Sequence, residues 1–183
     1  MINKACNLDS YLFVSGEQIL IDANIWLYLF PAPGDPMQTC AQKYSTAFFK
    51  LISSKAQPVL DPIILSEYLN RYCRIEWDGN FRLQYPSFKQ FRKSSDFKTV
   101  ALSAQTFAGR ILGFCQIHSV SPEELDLYRA LTDFTSGQID FNDAILIDLC
   151  KKRNMKLMTH DSDFNHGGIV VLTTNPKLLR ACS

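Results

Sequence analysis

A chain of 183 residues, 46% hydrophobic and 20% charged, has the length and apolar fraction of one globular domain with a sizeable core. Its formal net charge of +1 excludes a global basic field that would draw the whole protein onto nucleic acid, although a local patch stays open. The six cysteines (Cys6, Cys40, Cys73, Cys115, Cys150 and Cys182) are scattered, with no CxxC pair and no cysteine–histidine cluster at zinc-ligand spacing, so reduced thiols are expected. The opening MINKACNLDSYLF lacks the apolar core of a signal peptide, and no apolar run approaches the length of a membrane span. A soluble, cytoplasmic protein with no membrane partner is the expectation.

Residues 1–17 carry no firm periodicity and read as an N-terminal extension. The run Gln18, Ile19, Leu20, Ile21 then ends abruptly at Asp22. Apolar residues without alternation suit a strand covered on both faces, and parallel sheets bind ligands outside the carboxyl ends of their strands. Asp22 is therefore a site candidate by position, with capping of the helix that begins near Asn24 as the competing reading. PAPGDP at 31–36 closes that helix, and apolar positions at helical spacing predict another over 37–54. The proline-bounded stretch 57–62 suits a brief edge strand or an extended connection. A helix over 63–77 carries Glu67 near its start.

Residues 78–115 alternate aromatic and basic side chains and are assigned to helices packed outside the sheet, as an insertion or clamp. A strand over 115–120 follows. Ser121, Pro122 and Glu124 then form a good helix opening, and that helix runs to Phe134 before Thr135-Ser136-Gly137. The clearest unit is DFNDAILIDLCKKRN at 140–154, a helix with Asp140 as cap, Asp143 in its first turn and basic residues in its last. It feeds a strand over 155–159, the segment HDSDF, a strand over 169–172 and a closing turn over 176–180. Helix and strand alternate, so the class is α/β with a mostly parallel sheet and one domain over 1–183.

The acids cluster at element ends: Asp22, Glu67, Asp140 with Asp143, and Asp161 with Asp163. Two carboxylates about 4 Å apart repel by roughly 4 kcal/mol at an effective dielectric of about 20, so several at one spot require protons or a cation. All-oxygen ligation points to Mg²⁺ or Mn²⁺, ions that serve phosphoryl chemistry.

Together ILIDANIWLYLF, ILSEYLNRY and DFNDAILIDLCKKRNMKLMTHDSDF resemble the PIN-domain family, metal-dependent ribonucleases that include the VapC-type toxins of bacterial toxin–antitoxin pairs. The DxN start is weak by itself; the DFNDAxL helix followed closely by TxDxDF is far more specific. The resemblance implies a three-layer α/β/α fold in which Asp22, Glu67, Asp143 and Asp161 hold Mg²⁺ or Mn²⁺. Asn24 and Thr159 would orient ligands, with Asp140 and Asp163 as supporting acids. It further implies hydrolysis of RNA to a 5′-phosphate and a 3′-hydroxyl, and it admits a cognate antitoxin and a homodimer as partners. It offers no counterpart for 78–115.

Each residue also has a plainer role. Asp140 is a good helix cap, Asp143 suits a helix N-terminus in any protein, Glu67 fits a solvated face, Asp163 a turn, and His160 a structural position. Arg71, Arg74, Arg82, Arg92 and Lys93, interleaved with aromatics, can grip single-stranded RNA, or the aromatics are core and the charges face solvent. Two rivals stand beside the nuclease. One is a non-catalytic PIN-like module that binds RNA or protein. The other is a haloacid-dehalogenase-like phosphatase, a family that keeps a second aspartate where this chain has Asn24.

Overall fold

The computed structural model describes residues 1–35, 40–118, 125–137 and 139–182. Six strands form one sheet: β1 (Lys4–Asn7), β2 (Gln18–Ile21), β3 (Gln57–Leu60), β4 (Gln116–Ile117), β5 (Lys156–Met158) and β6 (Val170–Thr173). Their order is β1-β6-β5-β2-β3-β4, and every pairing is parallel. β2 lies between β5 and β3, and its Ile19, Leu20 and Ile21 are fully buried, which accounts for a run without alternation.

The chain moves from β2 to β3 to β4 in one direction across the sheet, then returns past β3 and β2 to β5. Right-handed crossovers put the helices of these two journeys on opposite faces, giving three layers, α/β/α. The outward journey carries α1 (Ala23–Leu29), α2 (Ala41–Ser53), α3 (Pro62–Glu76), α4 (Phe88–Phe91) and α5 (Ser95–Phe114), with one π-helical turn at Trp77–Phe81. The return carries α6 (Leu127–Thr135) and α7 (Phe141–Arg153), which pack on each other, and α8 (Pro176–Ala181) follows β6. No helix among the described residues is long and apolar enough to cross a membrane.

Two expectations need correction. Residues 1–17 are no mere extension: they supply β1, an edge strand running beside β6 from Lys4↔Val170 to Asn7↔Thr173. Asn3, 3% exposed, fastens it, donating to the Phe164 carbonyl (3.0 Å) while its side-chain oxygen accepts from the Ile169 N–H (2.9 Å). The stretch at 57–60 is an interior strand and not an edge, pairing with both β2 and β4. Pro58 is tolerated because β4 matches only Val59 and Leu60, so the missing N–H interrupts no bond to that neighbour.

The helix sought from Ser121 begins, among the described residues, at Leu127, where Asp126 caps it by accepting from the Arg129 N–H (3.0 Å). Ser121, Pro122 and Glu124 lie outside the described residues, as do 37–39. The stretch 78–115 is helical as expected, and its longest helix opens at Ser95, with Ser94 accepting from the Phe97 N–H (3.2 Å).

Candidate metal centre

β2 and β5 are neighbours whose onward connections leave in opposite directions, α1 toward β3 and the HDSDF segment toward β6. Such a switch point opens a crevice outside the carboxyl ends of the two strands. Asp22 follows the last residue of β2, and Thr159, His160 and Asp161 follow the last of β5.

Asp22 occupies the N-cap position of α1, yet its side chain makes no capping hydrogen bond. It is 4% exposed and turned into the crevice, where Oδ2 accepts from Thr159 Oγ1 (2.6 Å) and Asn24 Nδ2 (2.5 Å). Both bonds fall on one oxygen, which leaves Oδ1 outside that network. Thr159 Oγ1 in turn accepts from the Asp161 N–H (3.0 Å) and from Asn24 Nδ2 (3.1 Å), and the Asn24 side-chain oxygen accepts from the His160 N–H (3.1 Å). One aspartate, one asparagine and one threonine thus tie the start of α1 to the chain leaving β5. Asp22 thus opens α1 with its backbone carbonyl, which accepts from the Ile25 and Trp26 N–H groups, while its carboxylate is held by Thr159 and Asn24.

Asp143 reaches the crevice from the other helical layer. Asp140 caps α7 by accepting from the Asp143 N–H (2.9 Å), while the left-handed Asn154 (φ 51°) ends that helix. Asp161 accepts the Asp163 N–H on Oδ1 (3.0 Å), a local turn that fixes its direction. Glu67 arrives on α3, whose N-terminus Asp61 caps from the Ile63 N–H (2.8 Å) with Pro62 at the first position. Its Oε1 accepts from Arg71 Nη1 at 3.2 Å, one helical turn on.

The electrostatics record the convergence. Burial lifts Asp22 to about 6, opposed by the Thr159 bond and assisted by the charges of Glu67 and Asp161. Burial lifts Asp143 to about 8, with Asp140, Asp22, Asp161 and Glu67 adding like charge. Glu67 and Asp161, from two further segments, are therefore close enough to Asp22 and Asp143 for their charge to raise both. Among the described residues, however, no three histidine, cysteine, aspartate or glutamate side chains form a ready-made cage for an ion. Carboxylate oxygens are the donors that hard divalent cations take, with waters completing the shell.

Other expected residues sit elsewhere. Asp163 is exposed and borders a separate hollow with Arg129, Asp133 and His166. Among the basic candidates, Arg71 alone lines the hollow beside Asp161; Arg74 lies over the Phe88 ring (4.7 Å), Arg82 pairs with Asp78, and Arg92 borders an apolar recess with Phe88 and Phe97. Lys93 is exposed.

Several residues at the site escape sequence reasoning. Tyr44, fully buried, reads only as an apolar helix position, yet its hydroxyl donates to the Thr159 carbonyl (3.3 Å), accepts from the Thr174 N–H (3.2 Å) and lies 2.8 Å from His160 Nδ1. The signal was its polar tip, since a buried tyrosine hydroxyl needs partners. Tyr28 stacks on Tyr44 (5.4 Å, 3°), and His160 meets both rings edge-on. Asn175 Nδ2 donates to the His160 carbonyl (2.6 Å), which ties the start of α8 to the acid segment.

A solved structure similar in fold, titled "Crystal Structure of PAE2754 from Pyrobaculum aerophilum", shares 14% identity over 90% of this chain and 95% of its own, with a TM-score of 0.48. A search of curated protein sequences returns no match. The PIN domain family model matches residues 19–170, a span that contains every element bearing the converging acids. With that match over most of its length, the chain belongs to the PIN domain family, whose members are in general metal-dependent nucleases.

Proposed function

We propose that the protein is a ribonuclease that hydrolyses phosphodiester bonds at this acid group with Mg²⁺ or Mn²⁺. The observation that supports the reading is the like charge that Glu67 and Asp161 place on Asp22 and Asp143 beside the switch point, the four acids coming from different segments. A bound divalent cation supplies charge neutralisation and activation of a water for in-line displacement at phosphorus. Asp22, Asp143 and Asp161 would hold it directly or through water, with Glu67 released from Arg71 to join them. Thr159 and Asn24 orient Asp22 by occupying one of its oxygens, and the Tyr44–His160–Asn175 bonds hold the segment carrying Asp161 in place. A role as the toxin of a toxin–antitoxin pair, and pairing as a homodimer, are finer forms of the same proposal.

The rival is a PIN domain that binds RNA or protein without cutting. The test is cleavage of single-stranded RNA with Mn²⁺ by the wild type, Asp22→Asn and Asp143→Asn. Cutting by the wild type and loss in both variants supports the nuclease; equal activity in all three overturns it.

A further inference from the structure

Beside the acid group lies a hollow of about 570 Å³ that shares Asn24 and Asp161 with it. On its rim are three cations from two elements, Arg71 of α3 and Lys177 and Arg180 of α8, together with Tyr28 and His160. Lys177 and Arg180 are exposed, and they are held over the hollow because Asn175 caps α8 (its Oδ1 accepts from the Lys177 N–H at 2.9 Å) while bonding to the His160 carbonyl. The arrangement answers a difficulty in the acid group itself. A cluster of carboxylates repels a phosphodiester, so a polyanion must gain its attraction next door. The volume falls within the roughly 300–1,000 Å³ of small-molecule sites, room enough for one nucleotide. Tyr28 and the imidazole of His160 give the wall the aromatic character that unpaired bases stack on.

We propose that this hollow seats one unpaired nucleotide adjoining the bond cut at the acid group, with Arg71, Lys177 and Arg180 taking its phosphates. The strand is thereby gripped by the short C-terminal helix and not by the aromatic–basic stretch at 78–115. The inference rests on the nuclease reading for its register but not for its binding chemistry.

The test is binding of a short single-stranded RNA to the full chain in EDTA, followed by fluorescence anisotropy over a range of salt concentrations. The comparison is between wild type, Lys177→Ala/Arg180→Ala and a control pair, Lys151→Ala/Arg153→Ala, which removes the same charge beside the opposite end of the sheet. Loss of two phosphate contacts makes the log–log salt slope shallower by about 1.4 and weakens binding roughly twentyfold at about 0.1 M salt. That result for the α8 pair, with the control near wild type, is the expected one. Equal affinity and slope in the α8 pair, or equal losses in both pairs, overturns the proposal. RNA bound through α8 but left uncut by wild type with Mn²⁺ fells the nuclease reading and leaves this one standing; cutting without any loss in the α8 pair does the reverse.

Discussion

Two regions of this chain draw attention for the same reason, charged side chains among apolar ones, and the fold treats them oppositely. At the carboxyl ends of β2 and β5, Asp22 is buried and Asp143 half-buried, and both feel the like charge of Glu67 and Asp161. In the stretch from Trp77 to Phe114, Phe91 is fully buried in a nest of rings, stacked on Phe81 (4.9 Å) and meeting Tyr85, Phe88 and Phe97, while Arg82 is paired with Asp78 and Arg74 covers Phe88. The second region packs its rings on one another and turns its surplus of cations out to solvent; the first holds its charge inside the fold. Charge that the fold leaves unsettled is the better guide to chemistry than charge density.

Substitutions can break this contrast. The largest effect is expected for Asp22→Asn and Asp143→Asn, which should lower RNA cleavage by more than the roughly 10–100-fold that loss of an outer partner costs, with the fold intact by circular dichroism. Phe91→Ala should instead destabilise by about 3–5 kcal/mol in denaturant titration, yet cleave normally while folded. Thr159→Val, which removes the donor to Asp22 at nearly constant volume, should cost about 10–100-fold in activity with a smaller change in stability, and Thr159→Ser should restore most of it.

The pH dependence of stability sharpens the same contrast. Both Asp22 and Asp143 have folded-state proton affinities raised above the ordinary 3.8, to about 6 and about 8. The folded chain then binds more protons than the unfolded one, so this contribution is complete below about pH 4 and is lost as pH rises through those two values. The melting temperature of metal-free protein should fall between pH 5 and 9, by an amount on the order of a few kcal/mol in stability. Asp143→Asn should flatten the fall, and a divalent cation should reverse it near pH 8. The smallest effects belong to Arg92→Ala and Lys93→Ala, expected to change RNA affinity less than about twofold, since charges distant from the bound phosphates act weakly through salt.

What was legible follows the range of the interactions. Asp22, Asp143 and Asp161 could be read because each stands where a local pattern changes, at the end of an apolar run or in the first turn of a capped helix. β1 was not, since Lys4, Ala5, Cys6 and Asn7 carry no alternation and gain their strand only from β6, more than 160 residues away. The interior position of β3 was hidden by Pro58, which argues for an edge unless the neighbour is known to be two residues long. The part of the wall made by Asn175, Lys177 and Arg180 was invisible for a similar reason: it meets Asp161 only because β6 returns beside β5 and sets α8 there.

A nuclease of this kind requires that the acid group be a cation site. Titration of Mn²⁺ into the full chain, followed by calorimetry with Asp22→Asn beside the wild type, addresses that directly. Saturable binding by the wild type that is weakened at least about tenfold in Asp22→Asn is the result expected. No binding by the wild type, or equal binding by both proteins, would contradict it.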